Sequence, residues 1–326
     1  MKQFIIILMT IPFLGFGQSK TEKVATQVGA AAVVTAGVIG LFKKKKDKNN
    51  TTETQNTVKS KTPANPDGTF PINTKPEEIV AKLYKCTYKK LNTVSGEDSY
   101  CVWNPTIADF DKLRQNNEEE YKNWIKDTKI TLATQIDTVL TFKQSGIDNI
   151  VIITKSEEYS DREELYLGSG NKGFMRFQTT DGKHMKLVSN DKLVTGFLTL
   201  MFEKPKILQL DEDNIFYDVP YTEGGAGGHT EHYDNVYSLD GKLLVNYQSS
   251  SDWSNFETGG YTTSETEMKI DNINKTIKLI ESNASYNKKG KLIKSTKETI
   301  ATYQYGNGNI TEIKQSVIQN QQQQKK

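Results

Sequence analysis

Residues 214–247 read NIFYDVPYTEGGAGGHTEHYDNVYSLDGKLLVNY, two apolar runs separated by a polar, glycine-rich centre. The runs at 214–220 and 235–247 are rich in residues that favour β-strands. Asp240-Gly241, inside the second run, is a dipeptide typical of tight hairpins. The stretch therefore predicts antiparallel hairpins and makes its polar centre, residues 221–233, the place to look for chemistry.

Short strand-like runs continue on the N-terminal side of this stretch. They are rich in β-branched and aromatic residues and are punctuated by Gly, Asn and Asp, as strands joined by turns are. They occupy residues 149–154, 164–167, 174–177, 184–188, 197–202, 206–210 and 215–219. Because no long helical pattern separates them, the sequence favours antiparallel pairing over alternating strand–helix units.

Two helices are predicted before these strands. The sequence TKPE at 74–77 has the pattern of a capping box with Pro in the first turn, and apolar residues at helical spacing follow it up to Cys86. A second helix is predicted to begin at Thr106, with Asp109 three residues on. The predicted fold class is therefore α+β, over residues 76–316. It consists of two N-terminal helices followed by a mostly antiparallel β-sheet or sandwich built from hairpins.

The N-terminus has the pattern of a secretory signal. Lys2 is followed by an apolar run over residues 4–16, and the small residue Gly17 precedes Gln18. We therefore expect residues 1–17 to be a signal peptide that is removed after Gly17. Export would place the protein in the periplasm or cell envelope of its host.

A second apolar segment covers residues 24–42 and ends at four consecutive lysines, residues 43–46. Its length matches the hydrocarbon core of a bilayer, about 30 Å, and small residues recur in it at four-residue spacing, as in packed membrane helices. Its polar and small residues make the free energy of insertion marginal. Two alternatives follow. Either the segment is a membrane anchor with the lysines on the cytoplasmic side, or it is a small-residue helix that associates with itself or lies on the membrane.

Two further segments, residues 43–75 and 317–326, are polar and contain few apolar residues. Such segments cannot bury enough surface to offset the entropy lost on ordering. We therefore predict a disordered tether before the folded domain and a disordered polar tail after it.

Cys86 and Cys101 are the two cysteines of the chain. In an exported protein two cysteines predict one disulfide, whereas in the cytosol they would remain free thiols. The disulfide prediction therefore depends on export.

The candidate ligand or metal site is formed by His229, Glu231 and His232, within residues 221–233. On an extended strand His229 and Glu231 share one face while His232 points to the other, whereas on a helical turn the two histidines converge. Imidazole and carboxylate groups are zinc ligands, and nearby carboxylates would be needed to complete a set. Those carboxylates are Asp218, Glu223 and Asp234. Because the stretch lacks the established helical zinc motifs, we predict neither a bound metal nor a cofactor.

Aromatic residues surround the same centre. Tyr221, Tyr233 and Trp253 each combine an apolar ring with a polar group, which suits a ligand platform. The alternative is that they are half-buried strand residues.

Residues 286–312 contain two tyrosines, Tyr286 and Tyr305, each followed by a turn with a glycine and then by apolar residues. This local pattern resembles the tyrosine–aspartate (YD) β-hairpin repeats of large cell-surface and toxin-delivery shells. The aspartate of the repeat is absent after both tyrosines. The resemblance implies β-hairpins in this part of the chain and does not extend to an activity.

The formal net charge of +2 gives no basic field of the kind that indicates nucleic-acid binding. The leading interpretation is an exported envelope protein without enzymatic activity, which binds an unknown ligand or envelope partner or has a structural role. The alternative is a metal-dependent hydrolase centred on residues 221–233. A third interpretation, a fragment of a delivered toxin or shell, rests on the hairpin resemblance alone.

Overall fold

The computed structural model describes residues 68–313 apart from 94–95, 126–129, 160–164, 180, 196–200, 203, 226–228 and 256–258. Strands account for 66% of the described residues and helices for 12%, and the strands form two antiparallel sheets. The predicted α+β class with two N-terminal helices is therefore wrong, and the fold is mostly antiparallel β. One reason for the wrong prediction is a β-hairpin between the helical segments, in which Thr87 pairs with Val102. Residues 89–98 in it are mostly polar, so it lacks a strand-like apolar pattern.

Sheet 1 contains the first seven strands. These are β1 Thr69–Pro71, β2 Thr87–Thr93, β3 Gly96–Trp103, β4 Leu132–Gln144, β5 Ile147–Tyr159, β6 Leu165–Thr179 and β7 His184–Asp191. Their order across the sheet is β1-β7-β6-β5-β4-β3-β2. The Asp181-Gly182 turn joins β6 to β7, with Gly182 at a φ of 70°, a conformation that glycine adopts without steric cost.

Sheet 2 contains the remaining nine strands. These are β8 Met201–Phe202, β9 Lys206–Gln209, β10 Ile215–Gly225, β11 His229–Ser238, β12 Leu243–Asn255, β13 Gly260–Asp271, β14 Thr276–Tyr286, β15 Leu292–Gly306 and β16 Asn309–Glu312. The order is β16-β15-β14-β13-β12-β11-β10-β8, and β9 also pairs with β10. The sheet is thus a succession of hairpins, as the repeated turn signals predict.

The helical segments are short. They are α1 Pro76–Tyr84, a 3₁₀ turn Ile107–Phe110, α2 Asp111–Asn116 and α3 Glu118–Ile125. The N-cap of α1 is Lys75, without a side-chain bond, so the capping box predicted at 74–77 does not form. Thr74 instead donates its backbone N–H to Pro71 in the turn after β1. Thr106 and Asp109 do form a capping box, but it opens the 3₁₀ turn rather than a long helix.

The helices cover one face of sheet 1. A buried cluster joins Ile79 and Val80 of α1 and Leu113 of α2 to residues of the strands. Tyr84 packs edge to face on Trp103 with the ring centroids 4.7 Å apart. This layer supplies much of the apolar burial that stabilises sheet 1.

A disulfide between Cys86 and Cys101 ties the end of α1 to β3, with the two Cα atoms 5.6 Å apart. Cys101 is fully buried. The bond therefore fastens the helical layer to the sheet that it covers.

The opposite face of sheet 1 packs against sheet 2. Val151 and Ile153 of β5 and Phe174 of β6 meet Tyr217 of β10 and Tyr237 of β11 in one buried cluster. The rings of Phe174 and Tyr217 lie 4.7 Å apart. Helices, sheet 1 and sheet 2 therefore form three successive layers, and β10 and β11 are anchored at the centre.

Sheet 2 divides along the length of β12. β12 pairs with β13 only between Ser250 and Asn255. Over the N-terminal part of β12, before Ser250, the two strands are not paired. A third buried core there joins β10 and β11 to β14, and it includes Phe216, Val236 and Leu279. The strand ladder therefore stays continuous at the end of the sheet that carries residues 221–233.

Several predicted segments lie outside the described residues: the signal peptide at 1–17, the apolar segment at 24–42, most of the tether and the tail at 317–326. The described end of the predicted tether contains β1, in which Phe70 is buried. Ordered structure thus begins before residue 76. Among the described residues, none of the helices is long and apolar enough to cross a membrane.

Candidate functional site

The polar centre at 221–233 is the end of a β-hairpin rather than a long loop. β10 and β11 pair from Phe216 with Ser238 up to Gly225 with His229. The extended alternative therefore describes this site: His229 and Glu231 share one face and His232 lies on the other. The three predicted ligands do not converge.

The face that carries His229 and Glu231 is here called the aromatic face. Tyr221 stacks on Tyr233 with centroids 4.9 Å apart and an interplanar angle of 11°. His229 stacks on Trp253 of β12 at 4.5 Å, and the Trp253 side chain is half exposed. Tyr221, Tyr233 and Trp253 are therefore cross-strand packing residues as well as a candidate platform.

Two glutamates oppose each other between these stacks. Glu223 lies directly across from Glu231 in the ladder, an arrangement in which like charges destabilise a strand pair. The hydroxyl of Tyr233 donates to Glu231 at 2.7 Å. Burial, followed by the hydrogen bond to Glu231 and the charge of that carboxylate, raises the pKa of Tyr233. The phenol therefore stays protonated and stabilises Glu231 as a donor.

The opposite face of the hairpin, here called the cavity face, borders a depression of about 300 Å³. His232 lies on this face, and its Nδ1 is 2.8 Å from the hydroxyl of Thr222. The lining residues are Lys206, Pro220, Tyr221, His232, Tyr233, Asp234, Ser249 and Ser250. The cavity thus combines hydrogen-bond donors and acceptors on strands held by the core.

A β-bulge shapes one wall of the cavity. His232 pairs with Ser250, but the next residue, Tyr233, pairs with Gln248, so Ser249 is the extra residue. A bulge changes the direction of side chains on the bulged strand and is common beside functional sites. Here it brings two consecutive residues, Ser249 and Ser250, to the cavity.

Pro220 of β10 is one of the residues that line the cavity. β9 pairs with β10 up to Asp218, and β8 pairs with it again from Tyr221. Proline has no backbone N–H to give to a neighbouring strand. Among the described residues, no partner on the β8–β9 side pairs with Pro220, which lines the cavity.

A pair of aspartates lies next to the cavity. Asp218 is buried, and its carboxylate is 3.1 Å from Nζ of Lys206, whose side chain is 63% exposed. Burial and then the negative charge of Asp234 raise the pKa of Asp218 to about 6, although Lys206 opposes the shift. Asp218 thus changes its charge under mildly acidic conditions.

Tyr247 completes this group of polar residues. Burial raises the pKa of the Tyr247 phenol, and the charges of Asp234 and Asp218 raise it further. Its hydroxyl is hydrogen-bonded to Asp234. Asp234 is therefore held as an acceptor while it lines the cavity.

The sequence revealed only part of this site. Asp218 and Asp234 were recognised as carboxylates near the histidines, and His232 does line the cavity. Tyr221 and Tyr233 also contribute to its lining, although their rings stack on the aromatic face. Lys206, Tyr247 and the two serines were missed. Lys206 began one strand-like run and Tyr247 ended another, and neither formed a motif. The bulge depends on a register that single-strand patterns do not contain.

Within the described ranges there is no group of three or more His, Cys, Asp or Glu side chains placed to hold a metal ion. The proposed ligands His229, Glu231 and His232 therefore do not come together as the metal hypothesis requires.

The chain matches no family model, no curated protein and no solved structure.

Proposed function

We propose that this protein is a non-enzymatic binding module of the cell envelope that holds a small polar ligand in the cavity of the β10–β12 sheet. The observation that carries the proposal is the cavity itself. Its polar groups stand on paired strands anchored by Tyr217 and Tyr237 in the core, and the bulge at Ser249 directs two serines to it. Sites on rigid elements hold ligand-binding groups more precisely than sites on loops.

The charges of the site favour a ligand with hydroxyl groups and a positively charged nitrogen. Asp218 loses its proton above a pKa of about 6, Asp234 is a second carboxylate beside it, and Lys206 is the cation paired with Asp218. An ammonium group near Asp234 would offset the excess negative charge. Ser249 and Ser250 supply hydroxyl groups that both donate and accept hydrogen bonds.

Two features support export and placement in the envelope. The first is the secretory pattern over residues 1–17. The second is the disulfide between Cys86 and Cys101, a bond that persists in oxidising compartments and is rare in the cytosol.

The binding proposal is tested with a matched pair of probes, glucosamine and its neutral derivative N-acetylglucosamine. We expect glucosamine to raise the melting temperature at pH 7.5 and to bind in calorimetry, and N-acetylglucosamine to bind at least about tenfold more weakly because it lacks the charge. Recovery of unchanged glucosamine after prolonged incubation is expected of a binding module.

Variants locate the binding. Asp234→Asn and Ser250→Ala should each weaken glucosamine binding, whereas the controls Asp252→Asn and Ser254→Ala, at exposed positions of β12, should not. If neither probe binds, if both bind equally, or if the controls weaken binding as much as the site variants, the proposal is wrong. Conversion of glucosamine would replace it with an enzymatic function.

A further inference from the structure

In the described part of the chain, β15 extends well past the end of its partner β16 at the edge of sheet 2. β16 pairs with it only from Tyr303 to Gly306, and Ile313 adds one bond to Thr302. Among the described residues no strand pairs with the outer side of β15 from Leu292 to Ala301. An unpaired strand edge presents backbone donors and acceptors on which another strand can add.

The exposed edges of the two sheets differ in how they are protected. β2, an edge of sheet 1, carries two exposed lysines, Lys89 and Lys90, which discourage pairing. β15 instead exposes apolar side chains, Leu292 at 49%, Ile293 at 67% and Ile300 at 47%. Its charges are of both signs, Lys294, Lys297 and Glu298, so they do not repel every approaching strand.

We propose that the outer edge of β15 pairs with β15 of a second copy of this chain. The two strands run antiparallel, and the two-fold axis passes between the Thr296 residues of the two copies. Sheet 2 thereby continues from one copy into the other.

Symmetry restricts the possible registers. In an antiparallel ladder hydrogen-bonded and non-hydrogen-bonded residue pairs alternate. A two-fold axis cannot exchange two adjacent pairs, because they are of different types. The axis must therefore pass between one residue and the same residue of the other copy. An axis at Lys294, Lys297 or Glu298 would place that charge against its own copy, which is unfavourable.

The axis at Thr296 places unlike charges together. Lys294 of each copy then lies opposite Glu298 of the other. This complementarity argues for a second copy over an unrelated strand. The pairing of β15 with β14 is regular from Lys294 to Thr299, between register shifts at each end, so this segment presents an even edge.

Exchanging the charges at positions 294 and 298 tests the register. The full-length chain is used, and it is kept in mild detergent because residues 24–42 are apolar. We expect the wild-type chain to dimerise in sedimentation experiments, and Lys294→Glu or Glu298→Lys to raise the dissociation constant about tenfold by creating like-charge pairs. The double exchange, Lys294→Glu with Glu298→Lys, should restore the wild-type value. The control Lys289→Glu, in the exposed turn after β14, should have no such effect.

Cross-linking tests the position of the axis and distinguishes it from association through residues 24–42. Cysteines at Thr296→Cys would face each other within disulfide distance and should bond on mild oxidation. Thr299→Cys is the control, because the two cysteines would lie six residues apart along the strands, about 20 Å.

Three results would overturn the proposal: a monomer at about 200 μM, a double exchange that fails to restore dimerisation, or cross-linking at position 299 rather than 296. The proposal would also be wrong if the full-length chain is a monomer and the chain truncated after Ile313 forms a dimer. In that case residues 314–326 would prevent the β15 edge from pairing in the full-length protein.

Discussion

Asp218 is the residue whose chemistry the fold changes most clearly. In the folded protein its pKa is raised to about 6, first by burial and then by the charge of Asp234. The folded state therefore binds this proton more tightly than the unfolded chain does, and ionisation above the raised pKa destabilises the fold. The penalty is absent at low pH, develops between about pH 4 and 6, and stays constant above that range.

We expect Asp218→Asn to be more stable than the wild type at pH 7.5, by up to about 3 kcal/mol, because the pKa of Asp218 is raised to about 6 in the folded state. The difference should shrink as the pH falls through 6 toward 4. Urea unfolding at pH 4.5, 6 and 7.5 measures it. The exposed Asp252→Asn is the control, and a Asp218→Asn protein less stable than the wild type at pH 7.5 would contradict the assignment.

At the residue scale, His229 and His232 lie on opposite faces of β11. His229 stacks on Trp253, and Nδ1 of His232 is engaged by Thr222. Because the two rings project from opposite faces of β11, we predict no stoichiometric zinc in protein purified without a histidine tag. Replacing both histidines with alanine should lower the melting temperature by no more than about 3 °C.

Elemental analysis and thermal unfolding check this prediction. The control is the same purification of the double variant. Zinc near one equivalent in the wild type, lost in the variant, would make the metal-dependent hydrolase the leading interpretation.

At the scale of elements, a buried ion pair links β4 to β6. Nζ of Lys172 is fully buried in β6 and lies 2.9 Å from Asp137, at the bulge of β4. Removing one partner of such a pair leaves the other charge buried. We expect Asp137→Ala to destabilise the protein by about 3–5 kcal/mol, and Lys172→Met to cost less because Asp137 keeps partial access to water.

Urea unfolding of both variants tests this order. Asp148→Ala, at an exposed position of β5, is the control for loss of a surface carboxylate. Equal losses from Asp137→Ala and Asp148→Ala would show that the buried pair contributes little.

The disulfide acts between elements as well. It closes a loop with a sequence separation of 15 between α1 and β3, and closing a loop of this size stabilises by about 3 kcal/mol in the chain-entropy account. We expect reduction to lower the melting temperature by about 6–12 °C. The double variant Cys86→Ala with Cys101→Ala, which does not respond to reductant, is the control, and an unchanged melting temperature on reduction would contradict the prediction.

At the scale of the whole molecule, the prediction of export concerns the compartment in which the site lies. Protein recovered from the native host should begin at Gln18, because the secretory pattern of residues 1–17 predicts cleavage after Gly17. N-terminal sequencing is the measurement. A chain that begins at Met1 and carries two free thiols would contradict export and favour a cytosolic location.

Part of the candidate site and of the fold around it could be predicted from the sequence. The hairpin on either side of residues 221–233 and the turn at Asp240-Gly241 were predicted correctly, since both follow from consecutive residues. The fold class was wrong. The hairpin of β2 and β3 is mostly polar and lacks the alternation of apolar residues from which strands are predicted.

The sequence by itself determined strand runs within β5, β6, β7, β9 and β10 and on both sides of the Asp240-Gly241 turn, together with the turn residues and the capping box at Thr106, because each depends on neighbours a few residues apart. The tertiary structure alone decided that His232 lies apart from His229 and Glu231, and that Asp218 meets Asp234 beside Lys206. The reason is physical. Which faces meet is set by strand register, by the bulge at Ser249 and by burial between distant segments, and none of these is a property of a short stretch of chain.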